Sequence, residues 1–146
     1  MSRRSRAREA VLQLLFQDDL HPSRRLDPDE SYLHDRLQGD ASLIEFATEL
    51  LRGVRQYRRE VDENLTRLAN NWTLGRMAAT DRNALRIGAY EILYSETPAR
   101  VAVNEAVELA KKFGSQQSAP FVNGVLDRLM HDRGKGSSAA PASENA

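Results

Sequence analysis

The sequence predicts an all-helical fold, on three observations. Apolar residues recur at i, i+3, i+4 and i+7 spacings through seven successive segments. No stretch alternates apolar and polar side chains as a half-buried strand does. Helix punctuation separates the segments, and the connections are short, which suits neighbouring antiparallel helices in a bundle. At 146 residues the chain is long enough for one domain, or for two small halves sharing a core.

The first segment carries Ala7, Val11, Leu14 and Leu15 on one stripe and stops near His21-Pro22-Ser23. The second starts at Asp27 as N-cap, with Pro28 in the first turn and Glu30 at the capping-box position, and ends at Gly39. Asp40 caps the third, whose stripe is Leu43, Phe46, Ala47, Leu50 and Val54. Gly53 inside that stripe costs about 1 kcal/mol against alanine and points to a close helix crossing. The fourth stripe is Val61, Leu65, Leu68, Ala69 and Trp72, ending around residues 69–71. The fifth has Thr80 as N-cap and Asp81 in its first turn. Ala84, Leu85, Ile87, Gly88, Ala89, Ile92 and Leu93 make it apolar around most of its circumference, the mark of a central buried helix.

The sixth segment carries Ala102, Ala106, Leu109, Ala110 and Phe113, with Lys111 and Lys112 at the favourable negative end and Gly114 as the stop. The seventh carries Val122, Val125, Leu126, Leu129 and Met130. Its stripe runs through Asn123-Gly124 without a phase break, so Gly124 reads as a packing contact rather than a turn. The boundary of the folded domain is expected at residue 131, and residues 132–146 read as a disordered tail poor in bulky apolar side chains. Leu12, Leu15, Leu85, Ile92, Leu109 and Leu126 are expected in the core.

Charge is balanced overall but sorted along the chain. Arg3, Arg4, Arg6 and Arg8 open it without an acid among them. Residues 26–50 hold seven acids against the single base Arg36, which is either a solvated face or a surface for a basic partner. There is no cysteine, which excludes disulfides and thiolate metal sites and suits a reducing compartment. No apolar run reaches the roughly 18 residues of a membrane span, and the basic N-terminus is followed by an amphipathic repeat rather than a signal-peptide block, so a cytoplasmic location is expected.

Residues that carry chemistry are sparse. His21, His34 and His131 lie in three separate segments, without the i, i+4 spacing of a helical metal pair. No phosphate-binding glycine loop or nucleophile motif occurs, so neither an enzyme nor a cofactor is expected. Glu91 lies inside the most apolar helix and needs a partner, more readily as a structural ion pair than as a catalytic acid. The opening arginines stand at the positive end of a helix, and Asp18 and Asp19 at its negative end, so both termini oppose the helix dipole. Such rule-breaking is expected at functional sites. Arginine forks suit phosphates and bases. The four spread around the helical wheel, which favours a flexible arm or a helix end wrapped by a nucleic-acid strand. The alternative is a plain solubilising leader.

The segments TDRNALRIGAYEIL, VAVNEAVELAKKFG and FVNGVLDRL, in that order, resemble the C-terminal signatures of the NusB family of bacterial transcription antitermination factors. RRSRAREAVLQLLFQ resembles the family's N-terminal helix, so the likeness runs from about Ser2 to Leu129. It implies two packed helical bundles and a non-enzymatic protein that binds the boxA element of nascent ribosomal RNA. It further implies a heterodimer with a small-subunit ribosomal protein, NusE, joined indirectly by other Nus factors and RNA polymerase.

Residue by residue, the resemblance places Arg3, Arg4, Arg6, Arg8 and Arg82 on the RNA. It adds the loop residues Gln116, Gln117 and Ser118. The family often has an acid in that loop, and its absence here is expected not to weaken RNA binding. Phe121 either stacks on a base or belongs to the core. Phe16 and Asp81 resemble the ribosomal-protein contact; Phe16 lacks the hydroxyl that relatives can carry there.

On this reading the arginines are tolerated because a single-stranded transcript neutralises them. The other readings are a protein-only adaptor with solubilising arginines, and an isolated RNA-targeting domain of a ribosomal RNA cytosine methyltransferase system. A homodimer is also compatible with the sequence.

Overall fold

The computed structural model describes residues 3–21, 29–69 and 73–136. Seven α-helices follow one another: α1 Arg3–Leu20, α2 Asp29–Arg36, α3 Ala41–Gln56, α4 Arg58–Leu68, α5 Ala79–Tyr94, α6 Ala99–Phe113 and α7 Ser118–Gly136. A single 3-10 turn, Leu74–Arg76, precedes α5. Among the described residues there is no strand, and no helix is long and apolar enough to cross a membrane.

Two apolar clusters form. The first gathers Ala7, Val11, Leu14 and Leu15 of α1 with Leu33, Leu43, Ala47, Leu50 and Val54 of the next two helices. The second gathers Val61 and Leu65 with α6 and α7 residues such as Ala106, Val122, Val125 and Leu126. Helix α5 serves both: Ala84 and Ile87 face the first cluster, and Leu85, Ala89 and Ile92 face the second. Its apolar circumference is therefore explained by two cores rather than one. The five leucines and one isoleucine expected in the core are all buried.

Local punctuation follows the sequence in part. Gly39 takes φ +71°, and its N–H donates to the His34 carbonyl, closing the end of α2. The Asp40 side chain accepts from the Leu43 N–H, as an N-cap does. Gly53 lies under the Tyr90 ring, so a β-carbon there would stand 2.2 Å from the ring's Cζ. That is the close crossing of α3 and α5 expected from the sequence, and Tyr90, Tyr57 and Tyr94 stack above it.

Helix α4 ends at Leu68 with Ala69 as its C-cap, at the end expected around residues 69–71. Three expectations are corrected. Helix α5 begins at Ala79, so Thr80 lies inside its first turn and does not cap it. Gly124 meets nothing within 4 Å of a β-carbon and is not a packing contact. Helix α7 continues to Gly136, past the boundary expected at residue 131. Asp27, Pro28, Trp72 and the tail beyond residue 136 lie outside the described residues.

The two glycines give opposite expectations. Gly53→Ala should lower stability by about 1–3 kcal/mol, because overpacking against Tyr90 outweighs the helix-propensity gain. Gly124→Ala should raise it by about 0.5–1 kcal/mol, because open space leaves only that gain. Thermal unfolding of the two variants beside the parent measures both signs.

Candidate nucleic-acid and partner interface

Helix α1 is already helical at Arg3, so the opening arginines sit on a helix end and not on a flexible arm. Cations there cost about 0.3–1 kcal/mol each unless something offsets them. The offsets are mostly internal. Arg3 pairs with Asp40, the cap of α3. The Arg4 guanidinium lies 4.4 Å from the Phe46 ring centroid, a geometry worth about 0.5–1 kcal/mol at an exposed site.

Arg8 is a fork on a fork. Its Nε and one terminal nitrogen each donate over 2.8 Å to the two Glu91 oxygens. The Arg8 and Glu91 side chains are only 4% and 1% exposed. The Thr97 hydroxyl also donates to Glu91, at 2.9 Å. The other terminal nitrogen of Arg8 stands 3.6 Å from a Glu105 oxygen, and the Ser5 hydroxyl donates to that same oxygen at 2.8 Å.

Glu91 is thus the structural ion-pair partner expected from the sequence. Arg8 is corrected from an RNA contact to a buried member of the fold, because a side chain closed between two carboxylates has no face for a phosphate. Arg4 and Arg6 have no hydrogen bond or ion pair among the described residues; Arg4 is exposed and rests on the Phe46 ring, and Arg6 is half-exposed.

At the other end of α1, the acids that oppose the dipole are held by arginines from α3, α4 and α5. Asp18 receives two hydrogen bonds from Arg55, whose third nitrogen bonds Asp29. Asp19 accepts from Arg58, Arg82, Asn83 and Arg86. Burial raises the Asp19 carboxyl pKa. The Asn83 hydrogen bond and the charges of Arg86 and Arg82 outweigh that, and the net shift is below its ordinary 3.8.

Arg82 also donates to the Leu74 and Met77 carbonyls, tying the 3-10 turn to α5. Expected on the RNA, Arg82 is instead a clamp whose donors are engaged inside the protein, with its side chain 15% exposed.

Three of the remaining expected residues converge beside that clamp. Asp81, Gln117 and Phe121 line one hollow of about 500 Å³ together with Arg76, Met77, Ala78 and Ser115. Gln117 is exposed at its rim. Phe121 is half-buried, packs on the second cluster and lines the hollow. One oxygen of Asp81 is buried with no hydrogen-bond partner.

Ser118 is 1% exposed, and its hydroxyl accepts from the Ser115 N–H at 2.8 Å. It caps the turn into α7 and is corrected from an RNA contact to a loop-closing residue. A β-carbon on Gly114 would stand 2.4 Å from that hydroxyl, which is why this stop is glycine although its φ is negative. Phe16 is half-buried and belongs to neither apolar cluster, on an α1 face shared with exposed Gln13, Gln17 and Leu20.

Helices α1 and α6 run in the same direction and are bridged by side chains, since Ser5 meets Glu105 and Glu9 meets Lys112. The leader and the 115–121 hollow therefore lie along one flank, separated by about 15 Å of α6. Lys112, half-exposed over buried Glu9, stands between them. Sequence reasoning missed two cations here. Lys112 was accounted for as a helix-end charge, and Arg76 lies in a 3-10 turn with no periodic signal. Beside the leader a hollow of about 940 Å³ mixes Arg3 and Arg4 with Glu49, Glu96 and Glu105, so its sign is not uniformly positive.

Two helical clusters on a shared central helix, with cations and a half-buried aromatic along one flank, define a helical scaffold whose chemistry is carried by its surface. The NusB family profile matches residues 5–131. A transcription antitermination protein NusB from Anaeromyxobacter dehalogenans (strain 2CP-1 / ATCC BAA-258) is 44% identical over 128 residues, covering 88% of this chain and 90% of the relative. NusB of Geobacter sulfurreducens (strain ATCC 51573 / DSM 12127 / PCA) is 40% identical over 130 residues, covering 88% and 94%. The solved NusB of T. maritima superposes with TM-score 0.79 at 34% identity, covering 90% of this chain and 92% of that one. The chain belongs to the NusB family.

The burial contrast separates Arg8 from Arg6. Arg8→Ala should destabilise the fold by about 3–5 kcal/mol by stranding a buried carboxylate, and Arg6→Ala by no more than about 0.5 kcal/mol; denaturant unfolding measures both. The depressed Asp19 pKa gives a pH dependence of definite sign. Its contribution is fully present above the unfolded value of 3.8 and is lost as pH falls through the lower folded value. Melting temperature should therefore hold from neutral pH to about pH 5 and drop below 4, with the drop reduced in Asp19→Asn.

Proposed function

We propose that this chain is a transcription antitermination factor that binds the boxA element of nascent ribosomal RNA as a heterodimer with the ribosomal protein NusE, with other Nus factors and RNA polymerase reached through that pair. The observation that carries the reading is the α1–α6 flank. It holds a free cation at Arg6, a second at Lys112, and a hollow where Arg76, Gln117 and half-buried Phe121 meet. Arginine and lysine there neutralise phosphates, and an aromatic edge in a hollow suits a splayed base.

The RNA set on this reading is Arg4, Arg6, Lys112, Arg76, Gln117 and Phe121, with Arg3 available once its exposed pair with Asp40 exchanges. The partner set is Phe16, late in α1, and Asp81, in the first turn of α5; the Asp19–Arg82 clamp joins the end of α1 to the start of α5. A NusB of the same fold, 24% identical with TM-score 0.73, has been solved with NusE and double-stranded RNA.

A protein-only adaptor draws support from one observation. Arg3, Arg8 and Arg82 all have carboxylate partners within the fold, which thins the cationic surface.

Binding of boxA-containing RNA, single- and double-stranded, with and without NusE and at two salt concentrations, separates the two. An antitermination factor gains RNA affinity on forming the pair; an adaptor does not. In the same assay Arg4→Ala/Arg6→Ala should weaken binding and reduce the log–log salt slope by about 1.4–1.8, for two phosphate contacts. Its melting temperature should stay close to the parent's. Equal affinity of variant and parent across the titration would remove the leader from the RNA site.

A further inference from the structure

The geometry points to Glu105, on α6, as a positioning residue for the arginine leader: its carboxylate accepts from Ser5 in the first turn of α1 and faces Arg8, and so holds Arg4 and Arg6 in helical register for a polyanion that Glu105 itself repels. This rests on the RNA reading of the leader.

A helix start that carries three cations before its first buried arginine tends to fray, because its unpaired N–H groups and the macrodipole both disfavour positive charge. The ties available to this turn are unequal. Arg3 with Asp40 is an exposed pair, of a kind that contributes little. Arg4 on Phe46 is exposed on one side. Arg8 with Glu91 is strong but lies a full turn further in. Ser5 is 7% exposed and flanked by Arg4 and Arg6, so its bond to Glu105 is a buried polar tie placed among the exposed arginines. Glu105 also brings to the positive end of α1 the anion that the helix's own first turn lacks.

The sign of the effect makes the inference testable. By electrostatics alone, deleting a carboxylate beside an RNA site tightens binding. If Glu105 positions the leader, Glu105→Ala instead weakens it, by roughly three- to tenfold, the span a lost net hydrogen bond gives. Glu105→Gln keeps an acceptor for Ser5 and should bind within about twofold of the parent or more tightly. Ser5→Ala improves intrinsic helix propensity, yet should also weaken binding.

The experiment measures single-stranded boxA RNA affinity of the full chain and its Glu105→Ala, Glu105→Gln, Ser5→Ala and Arg4→Ala/Arg6→Ala variants, with amide hydrogen exchange across α1. The expected result is weaker binding and faster exchange near residues 5–9 in Glu105→Ala and Ser5→Ala, with Glu105→Gln retained. Unchanged or tighter binding by Glu105→Ala and Ser5→Ala, while the arginine variant loses affinity, would overturn the role of Glu105 and leave the RNA reading intact. An arginine variant that binds like the parent would overturn the RNA reading itself.

Discussion

The buried fork between Arg8 and Glu91 is the constraint on which the architecture turns. Both charges have been taken out of water, at a cost of several kcal/mol per ion before any pairing. The fork recovers that cost only if α1 and α5 stay in one register, since both guanidinium bonds are 2.8 Å and leave little room to slide. Helix α5 in turn faces both apolar clusters, so a pair that fixes α1 on α5 fixes the first cluster against the second. Removing one member is far more damaging than replacing both with apolar residues of like size. The fork therefore acts more as a register pin than as a source of net stability.

The same logic covers the far end of α1. Asp18 and Asp19 oppose the dipole of their own helix, but α3, α4 and α5 supply four arginines to them. Charges that are wrong for a lone helix are right for a helix whose neighbours carry the complement. Both ends of α1 are thus docked by long-range ion pairs of opposite polarity, arginine to carboxylate at the start and carboxylate to arginine at the finish. That arrangement also fixes direction, because a reversed α1 would set like charges together.

How much of this was legible depends on the range of the interaction. Periodicity found seven helices, and the apolar circumference of α5 named it as central, because those signals live within one helix. Gly53 was readable as a crossing because a glycine in a regular stripe has few local uses. The fates of Arg8, Arg82 and Ser118 were not readable. Each is decided by a partner 83 residues away for Arg8, 63 for Arg82, or by a turn whose geometry depends on the helix that follows. A buried Glu91 did announce that some cation must meet it, but nothing local says that the cation is Arg8 rather than Arg82 or Arg86. Lys112 escaped because its favourable place at a helix end already explained it, and Arg76 because an irregular turn has no period to read.

What joins the fold to the site is that one set of arginines is divided between them. Arg8 and Arg82 are engaged inside, and their engagement fixes where the half-buried groups stand: Arg6 beyond the fork, and Asp81 with Phe121 beside the clamp. A phosphate-contacting cation is useful only if its partner does not also have to order the helix that carries it, since ordering consumes affinity. On the proposed reading, a leader already helical and anchored at Ser5 and Arg8 meets an RNA with that cost settled during folding. On that same reading the carboxylates along α5 and α6 serve a surface whose sign is opposite to their own, and the rigidity with which two cations are held is a better guide to RNA affinity than the count of positive charges at the leader.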